Sequence, residues 1–355
     1  MKISILTNIP TPYRNPVYSI LSKFDKVDLL VLYCSYTEPN RSWEPENLDF
    51  KHKFLSNKKD RLVHLNWNVY KELNHFKPNV VITSGFNPTM LFAWFWTLTN
   101  RKKHISFSDA NLHSESKLSI FHRLIRKLVY KTSDAFIGAS EKTLDLYRSY
   151  NVDNYKLFKS CLAVKNDFFS INNNEERTFD LMFCGQFIDR KNPLFFTEVA
   201  ICLNKLKPGI KVLLVGSGFL KGKCISLLKE NNVSFYDTGF VQAEKLPNYY
   251  HLAKLFLFPT KKDPWGLVAN EALAAGLPVF VTSYAGVANE LVIDGFNGFI
   301  FNRLDVLLWT DKIVSLLENS ELFYRMSENA KSSVKRYTHE NAAKGIKAAI
   351  DFALL

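Results

Sequence analysis

Two acidic residues and a helix start lie close together between residues 255 and 298, and their chemistry suits a phosphorylated polyol. An apolar segment at residues 255–258 leads into a polar loop that carries Asp263 to a helix beginning near Gly266. A strand that feeds a helix leaves several backbone N–H groups unpaired at the helix start, and such groups bind phosphate. Glu271 follows inside the helix. Two carboxylates beside a phosphate site can bracket hydroxyl groups, so the pattern predicts a nucleotide-sugar site.

This stretch resembles the signature of the retaining glycosyltransferases of family GT4, in which seven residues separate two acidic ones. The resemblance implies that Asp263 orients the transferred sugar and that Glu271 holds the ribose hydroxyls. It also assigns Trp265, Gly266 and Leu267 to donor binding, mainly through their backbone. The first acid is Asp here, where the family usually carries Glu. An ordinary surface residue on an α/β crossover helix is the alternative interpretation of Glu271.

A second cluster of candidate residues follows the first predicted strand of the C-terminal half. It is similar to the family's loop whose Arg and Lys neutralise the donor diphosphate. Gly185 and Lys191 agree with that loop, Gln186 stands where Arg is frequent, and Arg190 is a substitute cation. Because a departing diphosphate needs its charge stabilised, the resemblance gives Lys191 most of this role. The alternative is a cation pair at a solvated helix start, where it opposes the helix dipole.

Two further segments of the C-terminal half are assigned to the donor by the resemblance. Gly216 and Gly218 end a predicted strand and allow close approach of the backbone to the nucleotide. Phe240 and Val241 lie where the family contacts the base, and a plain strand end with a packed aromatic ring is their alternative. The glycines also imitate a dinucleotide-binding fingerprint, but their spacing is one residue too long for it.

The N-terminal half supplies one candidate catalytic residue and three candidate acceptor residues. Pro12 and Arg14 lie on a loop that its prolines stiffen. Arg14 is expected either to meet an acceptor phosphate or to pair with a surface acid. Asp109 follows a predicted strand at residues 104–107, with His113 behind it. By resemblance Asp109 lies near the sugar as a catalytic residue, and a turn-forming role is its alternative.

The length of 355 residues suits two domains of about 150 residues each. In both halves, short apolar runs alternate with helical patterns, which predicts doubly wound parallel sheets. The expected fold class is therefore α/β with the GT-B arrangement, two Rossmann-like domains that face each other across a cleft. We place the acceptor-side domain at residues 1–168 and the donor-binding domain at residues 169–338. By resemblance a C-terminal helix at 339–355 returns to the first domain, and polar segments at 41–60 and 170–177 are expected as a loop and a linker.

The net charge of +12 is concentrated in the first half of the chain. Residues 1–165 hold 25 basic and 14 acidic side chains, and the remainder hold 21 and 20. Residues 121–131 form a basic amphipathic pattern suited to an anionic lipid surface, and the aromatic run at 90–98 precedes three cations. We therefore expect a lipid-linked or membrane-associated glycan as acceptor, as in surface polysaccharide biosynthesis, and a peripheral position on a membrane. A solvated face without a partner, or a core-facing helix, is the alternative.

Other patterns in the sequence restrict the cellular location, the cofactors and the class of protein. The first strand lacks the features of a signal peptide, and the longest apolar run is half a membrane span, so a cytoplasmic location is expected. Five scattered cysteines favour neither disulfides nor a zinc site. No Asp-x-Asp pair occurs, which agrees with chemistry that needs no metal or other cofactor besides a UDP- or GDP-sugar substrate. Two alternatives stay open, a GT-B nucleotide-sugar epimerase and a basic nucleic-acid-binding protein, but no motif supports nucleic acid as a partner.

Overall fold

The structure is a computed structural model that describes residues 1–38, 48–56, 63–115, 118–170 and 177–355. Most of the loop expected at residues 41–60 and of the linker expected at residues 170–177 lies outside these described residues.

The described chain divides into two compact units. The first unit comprises Met1–Ala163 together with His339–Leu355, and the second comprises Val164–Thr338. The boundary after residue 163 precedes the position chosen from the sequence by five residues. The C-terminal segment belongs to the first unit.

Each unit is built on one parallel sheet. The first sheet contains β1 (Lys2–Thr7), β2 (Asp28–Tyr33), β3 (His52–Phe54), β4 (Val80–Thr83), β5 (Lys103–Ser108), β6 (Ala135–Gly138) and β7 (Leu157–Lys159). The second contains β8 (Phe179–Cys184), β9 (Lys211–Val215), β10 (Ser234–Asp237), β11 (Ala253–Phe258), β12 (Val279–Thr282) and β13 (Gly298–Phe301). Their orders are β3-β2-β1-β4-β5-β6-β7 and β10-β9-β8-β11-β12-β13. All pairs between these described strands are parallel, which confirms the predicted α/β fold class.

Helices connect the strands. Those before β8 are α1 (Asn15–Ser22), α2 (Val69–Phe76), α3 (Pro88–Thr99), α4 (Leu112–Glu115), α5 (Ile120–Thr132), α6 (Glu141–Ser149) and α7 (Asn166–Ser170). Those after it are α8 (Pro193–Leu206), α9 (Lys221–Glu230), α10 (Leu246–His251), α11 (Leu267–Ala274), α12 (Val306–Glu318), α13 (Ser320–Ser333) and α14 (His339–Leu354). No helix in the described ranges combines the length and apolarity that crossing a bilayer requires.

The strands are apolar along most of their length because helices cover both faces of a parallel sheet. Every residue of β4, β6 and β12 is buried. Phe183, Phe196 and Trp309 belong to the main core cluster of the second unit. Helix α14 packs against α1, β6 and β7 of the first unit. Gly345 permits this contact, since a Cβ there would lie 1.8 Å from Lys159 O.

Both sheets reverse their strand order beside their first strand, between β1 and β4 and between β8 and β11. At such a switch point the loops after the two strands diverge and leave a crevice at the carboxyl ends of the strands. In the first unit the loops start at residues 8 and 84, and Asn87 Nδ2 donates to Asn8 Oδ1 over 2.8 Å. In the second unit they are residues 185–192 and 259–266. The sheet order therefore brings together the two loops that carry the candidate donor residues.

Candidate functional site

A cluster of two cations and one carboxylate lies where the loops after β8 and β11 meet. Lys191 Nζ is 2.5 Å from Asp263 Oδ2, and Arg190 Nη1 is 2.9 Å from the same oxygen. The side chains of Lys191 and Asp263 are only 14% and 10% exposed. The three residues leave one net positive charge at the carboxyl end of the sheet, where it attracts an anionic ligand.

Two hydrogen bonds to the Arg190 carbonyl hold the first of these loops against the second. Lys261 N–H donates to Arg190 O over 2.9 Å, and Thr260 Oγ1 donates to the same oxygen over 2.9 Å. The Lys191 ammonium also lies 4.9 Å from the centroid of the Phe258 ring. Lys191 is therefore fixed by the β11 loop and does not extend into solvent from a helix start.

Asp263 is buried in a way that the sequence did not suggest. Its Oδ1 accepts a hydrogen bond from Trp265 N–H over 3.2 Å, while Oδ2 accepts from both cations. Burial alone raises the pKa of Asp263, but the charges of Lys191 and Arg190 outweigh it and hold the pKa below its usual range. Both oxygens of this carboxylate are thus engaged within the protein, which differs from the expectation that it faces a sugar.

Helix α11 begins directly after this loop. Gly266 precedes it at φ +113°, and a Cβ there would lie 2.5 Å from the Phe258 ring. Glycine is therefore required for the tight entry into the helix. No side chain caps the start of α11, so its first N–H groups are available to a phosphate.

Glu271 lies further along α11 and is partly buried. Tyr250 Oη donates a hydrogen bond to Glu271 Oε2 over 2.7 Å. Burial raises the pKa of Glu271 to about 7, against the lowering effects of this hydrogen bond and of Lys191. Glu271 is therefore no ordinary surface residue. Tyr250 was missed by sequence reasoning, because nothing in the Tyr249-Tyr250 pair shows which ring turns towards α11.

The glycines after β9 allow the β9 loop to contact the β8 loop. A Cβ on Gly216, at φ +125°, would lie 1.9 Å from Gly185 O. A Cβ on Gly218, at φ +151°, would lie 2.5 Å from Phe187 O. These glycines let the β9 loop pack against the β8 loop, and their expected approach to a nucleotide stays a prediction.

The remaining donor candidates differ in exposure. Gln186 is exposed, Phe240 is 53% exposed and Val241 is partly buried. Trp265 is only 1% exposed and packs against Tyr337 with ring centroids 5.6 Å apart. The side chain of Trp265 therefore belongs to the core, and only its backbone is available to a ligand.

A cavity of about 200 Å³ occupies the switch point of the first sheet. Hydroxyl and amide groups line much of it, from Thr7, Asn8, Thr11, Ser84 and Ser108. Arg14 and Asp109 line it as well. The structure thus brings these two candidates to one cavity, and sequence reasoning missed its hydroxyl groups because they come from separate loops.

Arg14 binds uncharged oxygens of the first unit in the structure, and its contact with an acceptor phosphate stays a prediction. Its Nη1 donates to Ser160 O, Ser160 Oγ and Cys161 O over 3.1 to 3.4 Å. The guanidinium also lies 4.5 Å from the centroid of the Phe107 ring. Arg14 therefore fastens the β1 loop to the chain after β7, and no described carboxylate lies within 4.0 Å of it.

The other acceptor-side candidates lie near the surface. Asp109 is exposed, and the turn beside it is formed by Ser108, whose Oγ accepts from Ala110 N–H over 3.0 Å. Pro12 is exposed on the β1 loop, and His113 is exposed on α4. Their roles stay predictions.

Comparison with known proteins relates this chain to glycosyl transferases. Residues 164–333 match the family model described as "Glycosyl transferases group 1", which is nearly the whole second unit. Alpha-monoglucosyldiacylglycerol synthase of Acholeplasma laidlawii is 28% identical over 198 residues, covering 55% of this chain and 46% of that enzyme. Lipopolysaccharide 1,2-N-acetylglucosaminetransferase of Salmonella typhimurium is 27% identical over 178 residues, covering 46% of each chain. The matched regions span about half the length of these curated relatives.

Solved structures resemble the chain over its whole length. Anabaena Alr3699/HepE in complex with UDP has a TM-score of 0.76 at 14% identity and covers 99% of this chain and 100% of its own. WaaG, described as a glycosyltransferase involved in lipopolysaccharide biosynthesis, has a TM-score of 0.66 at 15% identity, with 99% of both chains covered. The molecule therefore has the fold of the GT-B glycosyltransferases. The family match adds that its second unit belongs to the group 1 glycosyl transferases, and the resemblance to family GT4 is confirmed.

Proposed function

We propose that the protein is a retaining glycosyltransferase that moves a sugar from a nucleotide-sugar donor to an acceptor hydroxyl. The observation that carries this proposal is the cluster of Lys191, Arg190 and Asp263 beside the start of α11. The family match to the same unit supports it. A UDP- or GDP-sugar is the proposed donor, and UDP in the HepE structure supports a nucleoside diphosphate.

In the proposed reaction the bond between sugar C1 and the diphosphate oxygen breaks, and its electron pair leaves with the diphosphate. The acceptor oxygen bonds to C1 on the same face, and its proton passes to the departing phosphate oxygen. Lys191 and Arg190 stabilise the growing negative charge, and the N–H groups of Gly266 and Leu267 add partial positive charge. We propose that these groups take the place of a metal ion. Glu271, oriented by Tyr250, binds the ribose hydroxyls.

The acceptor side is assigned to the cavity of the first unit. Its hydroxyl and amide groups suit a polyhydroxylated molecule, and Asp109 adds a carboxylate that accepts hydrogen bonds from sugar hydroxyls. Pro12 and His113 complete the proposed acceptor side on their positions in the sequence. Arg14 supports this surface indirectly, because it holds the β1 loop in place.

A lipid-linked or membrane-associated acceptor is supported by the surface of α5. Four apolar residues of this helix are exposed by 54–77%, namely Ile120, Phe121, Leu124 and Leu128, and the basic residues Arg123, Lys127 and Lys131 lie beside them in the sequence, whereas Val129 and Tyr130 are buried. Exposed apolar side chains flanked by cations bind anionic lipid interfaces. Two similar enzymes are named for a glucosyl diacylglycerol and a lipopolysaccharide. Helix α3, the other candidate, buries Met90 and Trp96 in the core.

The proposed activity is tested with purified protein and a panel of UDP- and GDP-sugars. We expect release of the nucleoside diphosphate from at least one donor, at a rate that depends on Lys191. Transfer to an acceptor should keep the anomeric configuration of the donor, which NMR of the product measures. Conversion of the donor to its epimer without release of the diphosphate would instead support the epimerase.

Lipid association is tested by flotation with vesicles of phosphatidylcholine, with and without phosphatidylglycerol. We expect binding to the anionic vesicles at low salt, and its loss in Leu124→Ser/Leu128→Ser. Leu307→Ser is the matched control, because Leu307 is 65% exposed on a helix of the second unit. Equal binding of the α5 variant and the wild type would contradict the assignment.

A further inference from the structure

Asp263 is the residue whose environment departs most from what its motif implies. It is 7% exposed, and its carboxylate accepts three hydrogen bonds, from Lys191, Arg190 and the backbone of Trp265. The two cations that would hold a diphosphate are thus already held by a carboxylate. The resemblance instead expects the first acid of the motif to face the sugar.

The length of the side chain accounts for this difference. Asp is one methylene shorter than the Glu usual at this position. Its carboxylate stays close to its own backbone, where it also accepts from Trp265 N–H over 3.2 Å. An ionised carboxylate has about four acceptor positions, and three of those of Asp263 are used inside the protein.

We propose that Asp263 is a positioning residue that holds Lys191 and Arg190 ready for the donor diphosphate and does not contact the transferred sugar. This inference rests on the proposed glycosyl transfer. Lys191 has a flexible stem, and no other described carboxylate lies within 4.0 Å of its ammonium. Fixing this stem before the donor arrives removes an ordering cost from the reaction.

The charge of the cluster decides what removal of Asp263 does. With Asp263 ionised, the two cations leave one net positive charge; without it they leave two. A diphosphate therefore binds more tightly to the variant in the ground state, because Coulomb attraction rises. The cations lose their anchor at the same time, so they stabilise the departing diphosphate less well. Tighter binding together with slower reaction is the signature of this role.

The test measures UDP and UDP-glucose affinity by calorimetry and UDP-glucose hydrolysis by release of UDP, with GDP and GDP-mannose as a second pair. We expect Asp263→Asn to tighten UDP binding about threefold to tenfold and to slow hydrolysis at least about tenfold. The ratio of UDP to UDP-glucose affinity should stay unchanged. Asp263→Glu, which keeps the charge, should recover most of the rate.

Asp189→Asn is the matched control, since it removes the same charge from an exposed position two residues from Lys191. It should leave affinity and rate near wild type. Asp263→Asn that weakens UDP-glucose while leaving UDP unchanged would show a contact with the sugar and overturn the inference. Weakening of both ligands together with a lower melting temperature would overturn it as well, in favour of a role in folding only.

Failure of the proposed function would give a result that differs from both contradicting outcomes for Asp263→Asn. A wild-type protein that binds none of the four nucleotides refutes the donor site before any variant is made, and the inference with it. Should Asp263→Asn fold poorly, the double variant Lys191→Met/Asp263→Asn avoids an unpaired buried ammonium. If the two residues act as one unit, the second substitution should slow hydrolysis little beyond Lys191→Met alone, and additive losses would contradict the inference.

Discussion

Both sheets reverse their strand order beside their first strand, and in each sheet two loops follow the strands at this point. The side chains on the two pairs of loops differ in their chemistry. In the second unit they bring two cations and a carboxylate together beside the start of α11. In the first unit they surround a cavity lined by hydroxyl and amide groups, to which Glu38 and Asp109 add carboxylates and Arg14 adds a guanidinium. There the guanidinium of Arg14 donates to neutral oxygens.

This difference shows that the repeated topology supplies a crevice and the loops determine its ligand. A cluster with net positive charge suits the diphosphate of a donor, and a cavity lined by hydroxyl, amide and carboxylate groups suits the hydroxyl groups of an acceptor. Variants that change only one of the two regions therefore test directly whether the second unit binds the donor and the first unit binds the acceptor.

The largest effect is expected from Lys191→Met. Loss of this cation should slow donor hydrolysis by about a hundredfold or more, because the growing charge on the diphosphate loses its buried partner. Steady-state release of the nucleoside diphosphate measures this. Lys261→Met, at an exposed lysine of the β11 loop, is the control and should act like wild type. Equal losses in both variants would show that general positive charge matters and the cluster does not.

Gly216→Ala should lower the free energy of unfolding by about 3 kcal/mol or prevent folding, since a Cβ meets Gly185 O and the positive φ adds strain. Gly209→Ala is the matched variant, because Gly209 also has a positive φ but no atom lies within 4 Å of its added Cβ. It should cost only about 1 kcal/mol. Chemical denaturation measures both. Similar losses would show that position 216 requires glycine because of its positive φ and not because of the contact between the loops.

The raised pKa of Glu271 predicts a dependence of stability on pH. Its pKa is about 7 in the folded protein and 4.5 for the ordinary side chain. The folded state therefore binds this proton more tightly, so the associated stability is present below pH 4.5 and is lost as the pH rises through 7. As the pH rises from 5 to 8, the free energy of unfolding of Glu271→Gln should increase by about 2 kcal/mol relative to that of the wild type. Glu198→Gln, at an exposed residue of α8, should show no such trend, and parallel curves for wild type and Glu271→Gln would contradict the buried environment.

The smallest effect on stability is expected from Leu124→Ser. Leu124 is 59% exposed on α5, so its replacement should change the free energy of unfolding by no more than about 0.5 kcal/mol. Donor hydrolysis in solution should be unaffected, because α5 belongs to the first unit. A large loss of stability in thermal denaturation would show that α5 is a core-facing helix, and the lipid assignment would fail.

The sequence identified Lys191 and Asp263 as candidate donor residues but did not show that they form an ion pair. Lys191 and Asp263 each stood out in a local motif, yet their contact depends on β8 and β11 being neighbours in the sheet. For the same reason the core position of Trp265 was not predicted, because its partner Tyr337 comes from a distant part of the chain.

Some elements near the end of the second unit were also missed. The helices α12 and α13 were not identified from the sequence, nor was the strand β13, whose four residues show little periodicity. The sequence predicts a helix over residues 66–76, but α2 begins only at Val69, because the Asn66 side chain donates to Cys34 O and its N–H donates to Thr89 Oγ1. The sequence also predicts a helix over residues 193–206, and α8 has these bounds.

Hydrogen–deuterium exchange with and without a bound UDP-sugar tests the central claim most directly, because it reports on both switch points in one experiment. The account predicts that the donor protects residues 185–192 and 263–271 of the second unit, and that this protection disappears in Lys191→Met. Protection confined to the β1 and β4 loops of the first unit, with the second unit unchanged, would contradict it.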